Sequence, residues 1–193
     1  MDERTPVNER IAAAVRSLRR ERGLSLAALA TSSGVGRSTL SLIERGEASP
    51  TATVLDKVAA GLGVPLATLF GDAAPAVREP VARRREQAVW RDPGSGYLRR
   101  TVSPAGITSP IRLAEVTFPA GARVVFDTGR GDRTVHQQLW VLAGTIDFTL
   151  GDETHRLHAG DCIACTLDRA TAFHNPTDRA ARYAVVSVGT GPR

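Results

Sequence analysis

The chain is short of several things, and each shortage excludes something. No apolar run is long enough for a membrane span or a signal peptide, and the start MDERTPVNER is acidic, so a cytoplasmic location is expected. The only two cysteines, Cys162 and Cys165, lie three apart in DCIACT, a stretch that reads as a strand, where such neighbours point to opposite faces. Without a second cysteine pair, neither a zinc knuckle nor a redox pair is expected, and both read as small buried hydrophobes. Lysine is almost missing too. Lys57 is the only one, so arginine carries nearly all the positive charge behind a formal net charge of +5. Such an excess attracts polyanions without reading their sequence. No Ser-His-Asp order, phosphate-cradling glycine loop or paired-carboxylate signature occurs, which argues against catalysis.

What is present is organised around LSLAALATSSGVGRSTLSLIERG, Leu24 to Gly46. Ser25 is a good N-cap, and Leu26, Leu29 and Ala30 give the helix that follows a small apolar stripe. That helix stops at Gly34, and Val35 plugs the junction. Gly36 opens a second helix, in which Leu40 and Ile43 face inward while Arg37, Ser38, Ser41 and Leu42 point out. Two short helices joined at a glycine, the second with a polar outward face, fit the helix-turn-helix, whose second helix meets base edges in the major groove.

Upstream, Asn8 to Arg22 reads as an amphipathic helix with Ile11, Val15 and Leu18 on one side and Arg10, Arg16, Arg19, Arg20 and Arg22 elsewhere, either solvated or touching phosphates. Downstream, Ser49-Pro50-Thr51 stops one element and caps the next, where Leu55, Val58, Ala59 and Leu62 recur at helical spacing up to Gly63. Pro65 starts a last turn closed by Leu66, Leu69 and Phe70. From Gly71 the composition shifts to GDAAPAVREPVARRREQAVW, read as a linker over 72–88 that includes Arg83-Arg84-Arg85. Beyond it, IRLAEVTF, QQLWVLAG, TIDFTL, HRLH, DCIACTL and ARYAVVSV alternate between turn signals about ten residues apart, the pattern of an antiparallel sandwich or barrel. The 193 residues suit two small domains, 1–71 and 89–193.

The first segment resembles the xenobiotic-response-element regulators, relatives of the lambdoid phage repressors. Leu29-Ala30, Gly34-Val35, Leu40-Ser41, Glu44-Arg45-Gly46, Pro50 and Leu55 stand at the family's spacing. Leu26 and Gly36 depart from it, replacing the usual glutamine early in the first helix of the pair and the usual polar cap of the second. The resemblance implies a five-helix, lambda-repressor-like head that binds double-stranded DNA as a homodimer on a palindromic operator. Arg37 and Ser38 would meet base edges and Leu42 a thymine methyl, beside Ser41, while Thr39, Arg45, Thr51 and Thr53 would contact phosphates. Glu44 would tie the recognition helix to its neighbours.

Trp140-Val141-Leu142-x-Gly144, Ala159-Gly160-Asp161 and Asn175-Pro176 resemble a small cupin, a double-stranded β-helix barrel commonly fused behind such heads. The family's metal ligands are two histidines and a glutamate in a first motif and one histidine in a second. Aligned here, those positions hold Gly131, Arg133, Gln137 and Thr171, so no metal of the family type and no cofactor is expected. His136, on a strand beside Gln137, should face away from the interior. His155, His158 and His174 read as surface or hydrogen-bonded residues. Arg133, Gln137, Leu139, Val141, Thr171 and Phe173 would either line a small-molecule effector pocket or fill the barrel. The overall expectation is an α plus all-β, two-domain transcriptional regulator with an effector-sensing, dimerising tail. The rival expectation is a metal-dependent cupin enzyme, isomerase or dioxygenase, with an autoregulatory DNA-binding head.

Overall fold

The computed structural model describes residues 7–70, 80–107, 109–127 and 135–189. Five helices come first: α1 (Val7–Glu21), α2 (Leu26–Ser33), α3 (Arg37–Arg45), α4 (Ala52–Gly61) and α5 (Leu66–Leu69). Their ends follow local chemistry. The Ser25 hydroxyl accepts from the Ala28 amide at 3.0 Å, and Thr51 accepts from Val54 at 3.4 Å. Gly34 closes α2 at φ 66°, a left-handed conformation costly to any side chain. Gly61 answers a different need, because a Cβ there would lie 2.7 Å from that of Ser33, so only glycine lets α4 cross α2 this closely. Ile11, Val15, Leu29, Leu40, Ile43, Leu55, Val58 and Leu62 fill the head's core.

The second half is all antiparallel. One sheet has the order β1 (Val89–Arg91), β2 (Leu98–Thr101), β3 (Ile111–Phe118), β10 (Ala181–Gly189), β5 (Val135–Ala143) and β8 (Cys162–Thr166). The other runs β4 (Arg123–Phe126), β9 (Thr171–His174), β6 (Thr145–Leu150) and β7 (Glu153–His158). Strand alternation sends Val135, Leu139 and Val141 of β5 inward and leaves His136, Gln138 and Trp140 outside. The buried Asn175 amide donates to the Phe118, Pro119 and Arg179 carbonyls and so pins the turn after β9. The two sheets face each other across Phe173 of β9, stacked on Tyr183 of β10 with centroids 5.8 Å apart.

The chain contains only nine aromatic residues, and all but Trp140 form one continuous series of ring contacts. It begins in the head, where Phe70 meets Trp90 at 5.2 Å, and runs through Tyr97, Phe118, Tyr183 and Phe173 to Phe126 and Phe148.

The head therefore sits directly on the β-domain, where composition had suggested a flexible join. Asp92, in the β1–β2 turn, accepts from the Ala52 amide at 2.8 Å, so a carboxylate from one domain stabilises the N-terminus of a helix in the other. The Thr53 hydroxyl donates to the Val125 carbonyl of β4 at 3.1 Å. Of the segment read as a linker, residues 72–79 lie outside the described residues, and Arg84–Glu86 form one 3₁₀ turn. The cysteines need correction: Cys162 is exposed and Cys165 half-buried, because β8 is the free edge of its sheet.

Candidate functional sites: a recognition helix and a cavity under the head

The nine residues of α3 divide cleanly. Leu40, Ile43 and Glu44 are buried, while Arg37, Ser38, Thr39, Leu42 and Arg45 are exposed and Ser41 is half-buried. Glu44 fixes the helix from inside. Its carboxylate takes both prongs of the Arg19 guanidinium, Nε at 2.6 Å and Nη2 at 2.9 Å, and Arg19 Nη1 also donates to the Leu24 carbonyl at 2.8 Å. The bidentate pair raises the Arg19 pKa and joins α1, the α1–α2 turn and α3. Glu44 thus has the structural role expected of it, and Arg19, one of the arginines weighed for phosphate contact, is engaged inside the head.

The surface residues divide less evenly. Arg45 donates to Ser41 Oγ at 2.5 Å and pairs with Glu47 at 2.8 Å, both side chains exposed. The hydrogen bond between Arg45 and Glu47 raises the arginine's pKa and lowers that of the glutamate. Thr51 is the N-cap of α4. Thr53 stands apart from the group expected at phosphates, because its hydroxyl is turned to β4.

A cavity of about 150 Å³ lies between α4–α5 and the open end of the two sheets. Asp56, Ala60, Val64 and Leu66 close it from the head; Arg99, Val116, Phe126, Gln137, Thr171, Phe173 and Ser187 are among its β-domain walls. Three of the six residues expected at a pocket, Gln137, Thr171 and Phe173, are on the wall. Leu139 and Val141 instead lie fully buried in the core behind it, and Arg133 falls outside the described residues.

Sequence reasoning missed the two charged groups of the cavity. Asp56 projects from α4 and is 3 % exposed; burial lifts its carboxyl to about 6, against a hydrogen bond from the Asp127 backbone. Among the described residues its Oδ2 has no hydrogen-bond partner. Arg99, on β2, stacks over the Phe70 ring with Cζ 4.9 Å from the centroid; burial depresses its pKa, and its Nη1 is likewise without a partner. The available signal was the pair of small residues Ala52 and Ala60, four positions to either side of Asp56 on α4, which leaves that side of the helix open to close packing.

The cavity's polar groups do not suit a cupin-type metal. Gln137 and Thr171 offer a neutral amide and a hydroxyl where the family uses imidazole or carboxylate, and the Arg99 guanidinium repels a cation. Among the described residues, no three histidine, cysteine, aspartate or glutamate side chains converge as a metal site. His136, His155 and His158 are exposed; His136 lies 3.4 Å from the Thr166 hydroxyl and His158 lies 3.3 Å from that of Thr145. His174 is half-buried, 3.6 Å from Asp147. Asp147 is held below the usual carboxylate range, chiefly by its hydrogen bond from Arg156. No described helix is long and apolar enough to cross a membrane.

Comparison with known proteins agrees with both halves. Residues 15–69 match the helix-turn-helix family model, and residues 115–188 match the cupin-domain model. The chain is 26% identical to the HTH-type transcriptional regulator SutR of Escherichia coli over 172 residues, 88% of this chain and 89% of that protein. Over 60 residues it is 45% identical to an uncharacterized HTH-type transcriptional regulator of Mycobacterium tuberculosis, a match covering 31% of this chain and 23% of the relative. The crystal structure of an HTH_3 family transcriptional regulator from Vibrio cholerae superposes with a TM-score of 0.74 at 24% identity, over 96% of this chain and 97% of that one. The two-domain fold is shared.

Proposed function

Proceeding from a chain that is a helix-turn-helix DNA-binding transcriptional regulator with a cupin domain behind its head, we propose that it reads a palindromic operator as a cytoplasmic homodimer. In this reading its cavity senses a small-molecule effector without a metal and without catalysing a reaction. The observation that carries the reading is α3. Its first three residues, Arg37, Ser38 and Thr39, are all exposed on a helix whose opposite side is locked by Glu44 and Arg19. A surface so firmly held and so polar suits a rigid partner. Arg37 and Ser38 meet base edges with Leu42 and Ser41 beside them, while Thr39, Arg45 and Thr51 contact the backbone. Two heads reading half-sites about 34 Å apart, or a multiple of that, supply the affinity that one short helix lacks.

The dimer forms through the outer face of the six-stranded sheet, where Trp140 is 52% and Ile111 50% exposed. Large apolar side chains left out on a flat sheet favour burial against a second copy. Sedimentation checks this: the wild-type chain should run as a dimer and Trp140→Glu as a monomer. Selection from random duplexes, followed by footprinting, tests the whole. A protected palindrome with two half-sites supports the proposal, and binding with no preference over bulk competitor overturns it.

The effector reading rests on a partly open cavity with a mixed polar and apolar lining. Head and β-domain both contribute to its wall, so an occupant that fits one arrangement of the two shifts the head, a coupling between cavity and groove.

A further inference from the structure

Two groups of opposite charge line the cavity, and each is only partly satisfied among the described residues. Asp56 lines it from the head and Arg99 from β2, and among the described residues the buried Oδ2 of the first and Nη1 of the second have no hydrogen-bond partner. Unpartnered buried polar atoms are rare in folded proteins, and a pair of opposite sign in one cavity calls for an explanation. The rest of the wall is largely apolar, with Val64, Leu66, Val116 and Phe173 around the pair. At about 150 Å³ the space matches that of cavities known to take a benzene-sized guest, which suits a compact occupant of roughly six to ten non-hydrogen atoms.

We propose that this cavity binds a small zwitterion, an amino-acid-like molecule with an apolar body, its carboxylate on Arg99 and its ammonium on Asp56. The proposal rests on the effector reading above and deepens it. A guanidinium presents fixed N–H donors suited to a carboxylate oxygen, and its stacking on Phe70 holds it in place. Asp56, with its carboxyl at about 6, is ionised at neutral pH and needs a cationic or N–H partner. Neither charge alone selects the class; their opposition across one apolar chamber does. The two charges also belong to different domains. Arg99 is fixed in the β-domain, whereas Asp56 sits on α4, which crosses α2 at Gly61 and Ser33 and so bears on the helix-turn-helix itself. Bridging them clamps the head in one pose, and the ammonium end is the part that the DNA-binding head feels.

The test uses the full chain with the amino acids alanine, valine, leucine and methionine, each accompanied by its carboxylate-only, amine-only and neutral amide analogues. Binding is read by calorimetry and by the rise in melting temperature. At least one zwitterion should bind saturably, with its carboxylate-only and amine-only analogues at least tenfold weaker. Arg99→Gln should weaken the zwitterion and the carboxylate-only analogue at least tenfold each. Asp56→Asn should bring the zwitterion down to the level of the carboxylate-only analogue. The proposal is overturned, with the effector reading left standing, if a singly charged or neutral analogue binds as tightly as any zwitterion, or if both variants keep wild-type affinity. If nothing in the series binds, the effector reading falls with it. The analogue series on the wild-type chain decides the matter even where a substituted chain fails to fold.

Discussion

The recognition helix and the cavity are made in opposite ways. The first takes its working surface from nine consecutive residues whose outward side chains read straight off a helical period. The second gathers its wall from α4, α5 and strands of both sheets, residues as far apart in sequence as Asp56 and Ser187. One surface faces a rigid polymer and needs a locked scaffold; the other faces a space that both domains share and so registers their relative position. A surface built on one helix can be changed residue by residue, whereas a shared cavity changes whenever either domain moves.

That contrast can be broken most strongly at the seam. Phe70 is 5% exposed and packs on both Trp90 and Arg99, so Phe70→Ala should cost about 4 kcal/mol. It should also split a single calorimetric transition into two, because the domains lose their shared core. A single transition at the wild-type temperature would mean that the head melts independently of this contact. Next in size, Glu44→Ala strands Arg19 among three segments and should cost about 3 kcal/mol in denaturant titration, with loss of operator preference but no change at the cavity.

Asp56→Asn acts with the opposite sign. Burial raises the folded carboxyl from 3.8 to about 6, so the folded state holds a proton more tightly than the unfolded chain. Above pH 6 the buried carboxylate is a penalty of at most about 3 kcal/mol, and it fades as pH falls from 6 towards 4. Without ligand, Asp56→Asn should therefore be more stable than wild type at pH 7.5, by about 2 kcal/mol, and equal to it near pH 4. Taking the difference between the two proteins cancels carboxylates such as Asp147, whose lowered pKa destabilises the fold on acidification. The smallest effects sharpen the reading of α3. Arg37→Ala should lose about 1–3 kcal/mol of discrimination between operator and random DNA, while Arg45→Ala weakens both alike. Equal losses on both duplexes for Arg37→Ala would move that residue to the backbone class.

Much of the head was legible because its signals are local. Ser25, Gly34 and Thr51 act on their own backbone or the next turn, and the structure uses each where the sequence puts it. In the β-domain the resemblance to the cupin motifs pointed to Gln137 and Thr171, with Phe173 beside them, and all three line the cavity. The cavity's charges were not legible. Asp56 stands beside Lys57 and Arg99 beside Arg100, so each reads as one more solvated charge until the other domain covers it. Thr53 and Cys162 depart from expectation for the same kind of reason. Docking on β4 claims the first, and the free edge of β8 exposes the second. Pairing partners that are distant in the chain decide both outcomes, and no window of sequence contains them.

The series of rings leaves the molecule with two optically distinct reporters. Trp90, 4% exposed and wedged between Phe70 and Tyr97, should emit at short wavelength and resist iodide, whereas Trp140, 52% exposed on the single chain, should emit to the red and quench readily only once the dimer is dissociated. Replacing Trp140 with phenylalanine leaves a single lamp at the hinge of the two domains, whose colour tracks any opening of that seam without a dye or label.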